Sequence, residues 1–293
     1  CCLYSLSAAK GGATVTMNIL FCGDANMTDG VLLATLSLMR QTREPLHIFV
    51  LTATLTVNDH RYKPFPVATV AQMTELMQKE NPAHQFTRID ITNLFEANPP
   101  RANLTRMFTP YCMLRLYADL VPQLPDRMLY LDTDVICRRP FAAFYHESMT
   151  GVDIAAALDH YGKWWFHHRL MWFDYLNSGV LLMNLARIRA DGLLARCRQL
   201  LQQRWLFMPD QSALNKLAKC KRILPPKYNE QHKLEPDTVF QHFTTSFRFW
   251  PRFRIVTVKP WQIHAVHQQL GLHEYDDLLK DYRRLAPKLK EVS

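Results

Sequence analysis

Residues 127–138 read RMLYLDTDVICR, an apolar run that stops at Asp132, Thr133 and Asp134. Met128 to Leu131 has the composition of a strand buried on both faces. The two aspartates are spaced by two, so along an extended chain both carboxylates project to one side. With 17 Asp in the chain, about one D-x-D arises by chance, and the bare pattern carries little. Its position carries more. Carboxylates at the carboxyl end of a buried strand suit Mg²⁺ or Mn²⁺, which bridge such a pair to a substrate diphosphate. A strand-end turn with two solvated aspartates is the competing reading.

Outward from this run, short apolar strands alternate with amphipathic helices. Met17 to Cys22, Leu46 to Thr52 and Phe86 to Ile91 read as strands, separated by helices over Gly30 to Gln41 and Val67 to Lys79. A helix over Pro110 to Leu120 leads into the D-x-D strand. Strands near Asp153 to Leu158 and Gly179 to Asn184 follow, each with helical sequence after it. This rhythm predicts an α/β fold with a mixed, mostly parallel central sheet whose ligands bind at the carboxyl ends of the strands. Beyond Thr244 the texture becomes aromatic and basic, TTSFRFWPRFRIVTVKPW, and ends in a charged helical tail. Three segments result: an artefactual or disordered extension over 1–16, a catalytic domain over 17–243, and a C-terminal extension with a helical appendage over 244–293.

The 293 residues carry 35 Lys and Arg against 26 Asp and Glu, a formal charge of +9. Length and a 48% apolar fraction suffice for a packed core and exclude a disordered or collagenous chain. No apolar run approaches the roughly 18 residues of a membrane-spanning helix. Residues 1–150 hold 13 basic and 13 acidic groups, so the excess lies in residues 151–293. Ten basic groups fall within residues 185–227 against only Asp191 and Asp210, which predicts an anion-docking face. The seven cysteines form no C-x-x-C and have no zinc-ligand spacing to His, which fits a reduced, cytoplasmic compartment. The first sixteen residues lack the basic and apolar regions of a secretory signal.

LYLDTDVICR, preceded by Tyr111 and Arg115 in YCMLRLYADLVPQLPDR and followed by YLNSGVLLMNL and PDQSALN, resembles glycosyltransferase family 8 from Met17 to about Trp261. That family contains glycogenin and bacterial lipooligosaccharide galactosyl- and glucosyltransferases. The resemblance implies a GT-A fold and retaining transfer of a hexose, glucose or galactose, from a UDP-sugar. It makes Asp132, Asp134 and His242 the ligands of Mn²⁺ or Mg²⁺, and Asp24 and Asn26 the uridine contacts. Capping of the following helix is the ordinary alternative for Asp24. Where the family has an aromatic residue after this Asn, the chain has Met27.

The resemblance further implies that Lys259, in Lys259-Pro260-Trp261, grips the diphosphate. Sixteen residues separate His242 from Lys259, many more than the family commonly has, and Arg248, Arg252 or Arg254 are alternative phosphate contacts. Arg115 matches an Arg that reaches the donor, and its guanidinium suits a fork to phosphate or carboxylate. An ion pair with Asp119 is the ordinary alternative. Asp159, Asn177 and Ser178 match positions around the transferred sugar. Asp210 and Gln211 match the residues at its hydroxyls and beside its anomeric carbon.

Retention through an enzyme nucleophile needs a suitably placed carboxylate. No Glu occurs between Glu147 and Glu230, and the motif's acids already have roles, which favours front-face substitution supported by Gln211. Lys163, Trp164, Trp165, Phe166, His167, His168 and Trp172 offer an acceptor platform or simply helical packing. A nucleotidyltransferase is disfavoured, since CGDANMTDG after the first strand lacks any Lys or Arg. A nucleic-acid binder using the basic, aromatic second half is the alternative from another class. The preferred reading expects no nucleic acid. It expects a saccharide or glycolipid acceptor in lipopolysaccharide or other cell-surface glycan synthesis. Arg283, Arg284, Lys288 and Lys290 are then a peripheral contact with an anionic membrane, at the inner face of the cytoplasmic membrane.

Overall fold

The computed structural model describes residues 15–57, 59–104, 109–160, 174–248 and 254–290. In it the apolar run MNILFC forms β1 (Met17–Cys22), buried along nearly its whole length. Helix α1 (Thr28–Met39) returns the chain to β2 (Leu46–Thr52). A short hairpin of β3 (Leu55–Val57) and β4 (His60–Tyr62), helix α2 (Val67–Glu80) and β5 (Gln85–Asp90) follow. Helix α3 (Thr92–Ala97) precedes a tight stretch over Pro110–Leu120.

That stretch, expected as an ordinary helix, winds as a 3₁₀ helix. Three residues per turn eclipse positions three apart. Tyr111, Leu114 and Tyr117 therefore fall in one buried row.

The D-x-D strand is β6 (Arg127–Leu131), followed by β7 (Val135–Cys137), α4 (Ala142–Tyr145), β8 (Ile154–Ala157) and β9 (Val180–Asn184). Then come α5 (Leu185–Asp191), α6 (Leu193–Gln203), α7 (Pro209–Leu217) and β10 (Lys221–Leu224). Seven strands form the central sheet in the order β10-β8-β9-β6-β1-β2-β5. Six of them share one direction, and β9 alone runs against its neighbours β6 and β8. This reversal builds the site. Residues that follow β1, β6 and β8 and residues that precede β9 meet along the same sheet edge.

Beyond the sheet, β11 (Phe240–His242) pairs antiparallel with β7 and sets His242 opposite Val135, next to Asp134. A hairpin of β12 (Ser246–Arg248) and β13 (Arg254–Val256) fills most of the long segment between His242 and Lys259. Helices α8 (Ile263–Leu270) and α9 (Asp276–Lys290) complete the chain. Tyr275, Leu278, Leu279, Tyr282 and Leu289 around α9 are buried in the same core as β1, β2 and α1. The C-terminal segment is thus packed into the core.

Part of the expected anion-docking face is spent internally. Arg187 pairs with Asp153 at 2.6 Å, Arg189 with Asp126 at 3.0 Å and Arg196 with Asp191 at 2.6 Å, while Arg198 pairs with Asp119. These arginines lie on two helices that dock beside acidic loops, so much of the excess charge is neutralised where it sits. No described helix is long and apolar enough to cross a membrane. Among the described residues Cys22, Cys112, Cys137, Cys197 and Cys220 are free thiols. Most of residues 1–16, the aromatic segment at 163–168 and 172, and Arg252 lie outside the described residues.

Candidate active site

Strand β6 delivers Asp132 and Asp134 to the sheet edge, and β11 delivers His242. Nε2 of His242 lies 3.5 Å from Oδ2 of Asp132 and 3.2 Å from Oδ1 of Asp134. One ligand atom from each of the three lies within 4.8 Å of the others. Two carboxylates and an imidazole around one small space form a donor set that fits a divalent cation of the Mn²⁺ or Mg²⁺ kind. Asp132 and His242 are also held from behind, the kind of outer-shell support that metal ligands require. Oδ1 of Asp132 accepts from the Tyr130 hydroxyl at 2.6 Å and from Arg115 at 2.8 Å. Nδ1 of His242 meets Oδ1 of Asn229 at 3.1 Å.

Lys259 reaches this centre across the long insertion. The β12–β13 hairpin closes its own ends, with the Thr245 and Thr257 hydroxyls 3.0 Å apart. Lys259 Nζ is thereby returned to within 2.5 Å of Oδ2 of Asp134 and 3.3 Å of the Phe243 carbonyl. Burial of Asp134 opposes its ionisation, but His242 and Lys259 outweigh this and hold its carboxyl below the usual range.

Arg115 is enclosed, with 3% of its side chain exposed. Its guanidinium stacks over Tyr130, donates to the carbonyls of Cys112 and Ser178 and to Asp132, and forms an ion pair with Asp210, Nε lying 3.2 Å from Oδ2. It forks to carboxylates rather than pairing with Asp119, which Arg198 takes instead. Buried Asp210 still has its carboxyl raised above the ordinary value, because burial outweighs the attraction of Arg115.

The remaining candidates join the same network. The Ser178 N–H donates to Oε1 of Gln211 at 3.0 Å, which turns Nε2 of Gln211 toward Oδ2 of Asp159 at 3.2 Å. Nδ2 of Asn177 donates to the same Asp159 oxygen at 2.8 Å. Ser178 Oγ lies 3.3 Å from Asp210. Arg115, Asp132, Asp134, Asp159, Asn177, Ser178, Asp210, Gln211, His242 and Lys259 therefore form one connected constellation.

Asp24 and Asn26 form an adjoining pair. Asp24 caps the 3₁₀ turn after β1, accepting from the backbone and side-chain N–H groups of Asn26, both at 3.0 Å. Its carboxyl is raised by burial, an effect those hydrogen bonds only partly oppose. Contact with the D-x-D runs through Thr133, whose hydroxyl donates to the Met27 sulfur at 3.4 Å. Gly30 is needed for the same approach, since a β-carbon there would lie 2.7 Å from the Thr133 carbonyl and 2.8 Å from the Trp261 ring.

Three supporting residues escaped the sequence reading: Asn229, Tyr130 and Gly179. Asn229 follows a 3₁₀ turn over Pro226–Tyr228 and is 1% exposed. Nothing in KYNEQH marks it, because its partners are brought from other elements by the fold. Gly179 had a signal in hindsight, a glycine directly after the Asn177-Ser178 pair, where a close approach is expected.

The family described as Glycosyl transferase family 8 matches residues 18–262. The chain is 23% identical over 273 residues to an Escherichia coli (strain K12) lipopolysaccharide 1,2-glucosyltransferase, covering 84% of this chain and 77% of that one. It is 29% identical over 157 residues to lipopolysaccharide glucosyltransferase WaaO of the same organism, a match that spans 45% of this chain and only 46% of WaaO. In fold it resembles the galactosyltransferase LgtC, solved with donor and acceptor sugar analogs, with a TM-score of 0.62, 16% identity, and 90% and 96% of the two chains covered. That likeness supports the GT-A architecture. With the family matched over most of its length, the chain belongs to glycosyl transferase family 8.

Proposed function

We propose that the protein is a retaining hexosyltransferase that moves glucose or galactose from a UDP-sugar to a saccharide or glycolipid acceptor in lipopolysaccharide synthesis, working at the inner face of the cytoplasmic membrane. One observation carries the reading: a cation-binding triad and the Asp210-Gln211 pair are wired together through Arg115 and Ser178. Asp132, Asp134 and His242 would hold Mn²⁺ or Mg²⁺, and the bound ion would neutralise charge on the departing diphosphate.

Lys259 adds a positive charge beside that diphosphate, while Asp24 and Asn26 hold the uridine. The anomeric carbon loses its bond to the phosphate oxygen and gains one to the acceptor oxygen on the same face. The acceptor proton passes to the departing phosphate, so charge balances. Gln211, its amide fixed between Ser178 and Asp159, steadies positive charge at the anomeric carbon. Asp210 is a poor nucleophile here, because Arg115 and Ser178 engage its carboxylate in an enclosed setting. A glycosyl adduct on Asp210 seen by intact-mass spectrometry would overturn the front-face route.

A cleft of about 220 Å³ beside His242 has a mixed lining, polar at Gln231, Lys233, Gln241 and Thr244 and apolar at Leu234, Phe243, Val258, Leu270 and Leu272, and such a wall suits the hydroxyls and apolar ring face of a saccharide acceptor. Arg283, Arg284 and Lys288 are exposed on α9 and, with Lys290, form the proposed contact with anionic lipid. Liposome sedimentation that is unchanged after neutralising all four removes that contact. The activity itself is tested by UDP release from UDP-glucose and UDP-galactose. Mn²⁺-dependent turnover lost in Asp132→Asn is the expected result, and salt-sensitive DNA binding without turnover overturns it.

A further inference from the structure

His242 serves as a ligand only if the nitrogen facing the aspartates offers a lone pair, and an imidazole has two places for its remaining proton. A chain of buried amides decides between them. The Gly179 backbone N–H, which can only donate, lies 2.9 Å from Oδ1 of Asn177. That atom is therefore the acceptor, and Nδ2 of Asn177 faces the Asp159 carboxylate. Oδ1 of Asn177 also meets Nδ2 of Asn229 at 2.8 Å. The Asn229 amide is thereby oriented, and its oxygen is the atom turned to Nδ1 of His242 at 3.1 Å. An amide oxygen only accepts, so the Nδ1 position keeps the proton.

We propose that Asn229 is a positioning residue that holds the Nδ1 proton of His242 and aims Nε2 at the cation site, its own polarity being set from Asp159 through Asn177. The inference rests on the reading of His242 as a metal ligand. It reaches further, because a residue expected at the donor sugar then governs the orientation of a group at the cation. The backbone holds Asn229 in place for this. Its N–H donates to the Pro226 carbonyl at 2.8 Å, and the next residue joins β11 through the Glu230 N–H to the Phe240 carbonyl at 2.9 Å and the His242 N–H to the Glu230 carbonyl at 2.8 Å. A packing role would require only the volume of the side chain. A positioning role requires its acceptor oxygen.

The test uses protein labelled with ¹⁵N at histidine and loaded with Mg²⁺, the His242 signals being assigned by their loss in His242→Gln. Wild type is expected to show a protonated Nδ1 and an unprotonated Nε2. Asn229→Ala should reach this pattern only at about 10- to 100-fold higher Mg²⁺ and bind Mn²⁺ more weakly by the same factor in an EPR titration, as loss of an outer-shell partner does. Asn229→Asp keeps an oxygen facing Nδ1 and should restore most of the affinity. A wild-type spectrum with the proton on Nε2 overturns the proposal whether or not the alanine variant folds. Unchanged Mn²⁺ affinity in Asn229→Ala, or an aspartate no better than alanine, overturns it equally. Unchanged Mn²⁺ affinity in His242→Gln instead removes the ligand reading itself, and the proposal with it.

Discussion

Gly179 leaves the space that the His242 ring occupies: a β-carbon added to it would lie 2.5 Å from Nδ1 and 2.9 Å from Nε2. The ring cannot move away without leaving Asn229 on one side or the two aspartates on the other. Gly179→Ala is therefore expected to fold with a cost of about 1–3 kcal/mol, as for overpacking elsewhere. Its Mn²⁺ affinity should fall by about tenfold or more, through displacement of one ligand. Isothermal titration with Mn²⁺ beside a urea melt measures both, and a variant with unchanged affinity would show that the ring has room to yield.

Arg115 supplies the buried positive charge between Asp132 and Asp210, and its neutral replacement leaves two carboxylates facing each other without compensation. Arg115→Met should destabilise the protein by about 3–5 kcal/mol, the range for breaking a buried ion pair. Adding Asp210→Asn should recover part of that loss, because one of the stranded charges disappears. Equal stability of the single and double variants in urea unfolding would contradict the coupling.

The sheet and its site edge were legible because apolar strands stop abruptly at polar residues: MLYL at Asp132, IAAAL at Asp159. The reversal of β9 was not legible, since VLLMN reads the same in either direction, yet it alone explains why Asn177 and Ser178 precede their strand while Asp132 and Asp159 follow theirs. The return of Lys259 was equally hidden. Its sequence distance from His242 is large, and only hairpin pairing between β12 and β13 shortens the path. Asn229 was invisible for a third reason: its function lies in the direction of one amide, fixed by partners remote in sequence. Over residues 185–227 net charge does not reveal pairing: Arg187, Arg189, Arg196 and Arg198 all find acidic partners.

The C-terminal helix is amphipathic in a way that ties it to the fold. Leu278, 4% exposed, and Leu279, 2% exposed, lie in the core shared with α1. Leu279→Ala should cost about 2–5 kcal/mol, the range for truncating a buried leucine. Neutralising the exposed Arg283, Arg284 and Lys288 on the same helix should shift stability by less than about 0.5 kcal/mol, as for ordinary surface changes. Thermal denaturation separates the two faces, and a negligible effect of the leucine change would mean that the helix is dispensable to the core.

Asp210 carries the pH dependence. Burial raises its carboxyl above the unfolded value despite Arg115, so the folded state holds this proton more tightly than the unfolded state does. Between the unfolded and folded values the native state binds more protons, and stability falls as pH rises through that window. Above it the loss is complete, because the ionised form must be kept out of water. Asp210→Asn removes the charge while keeping the shape, so the variant should melt higher than wild type at neutral pH and close to it near pH 3, below the window. The same change should lower sugar transfer by about two orders of magnitude, if the carboxylate acts on the donor only as charge develops in the transition state. Paired melting curves at the two pH values, read beside UDP release, test the sign directly: a variant less stable than wild type at neutral pH would mean that the attraction to Arg115, and not burial, governs this carboxylate.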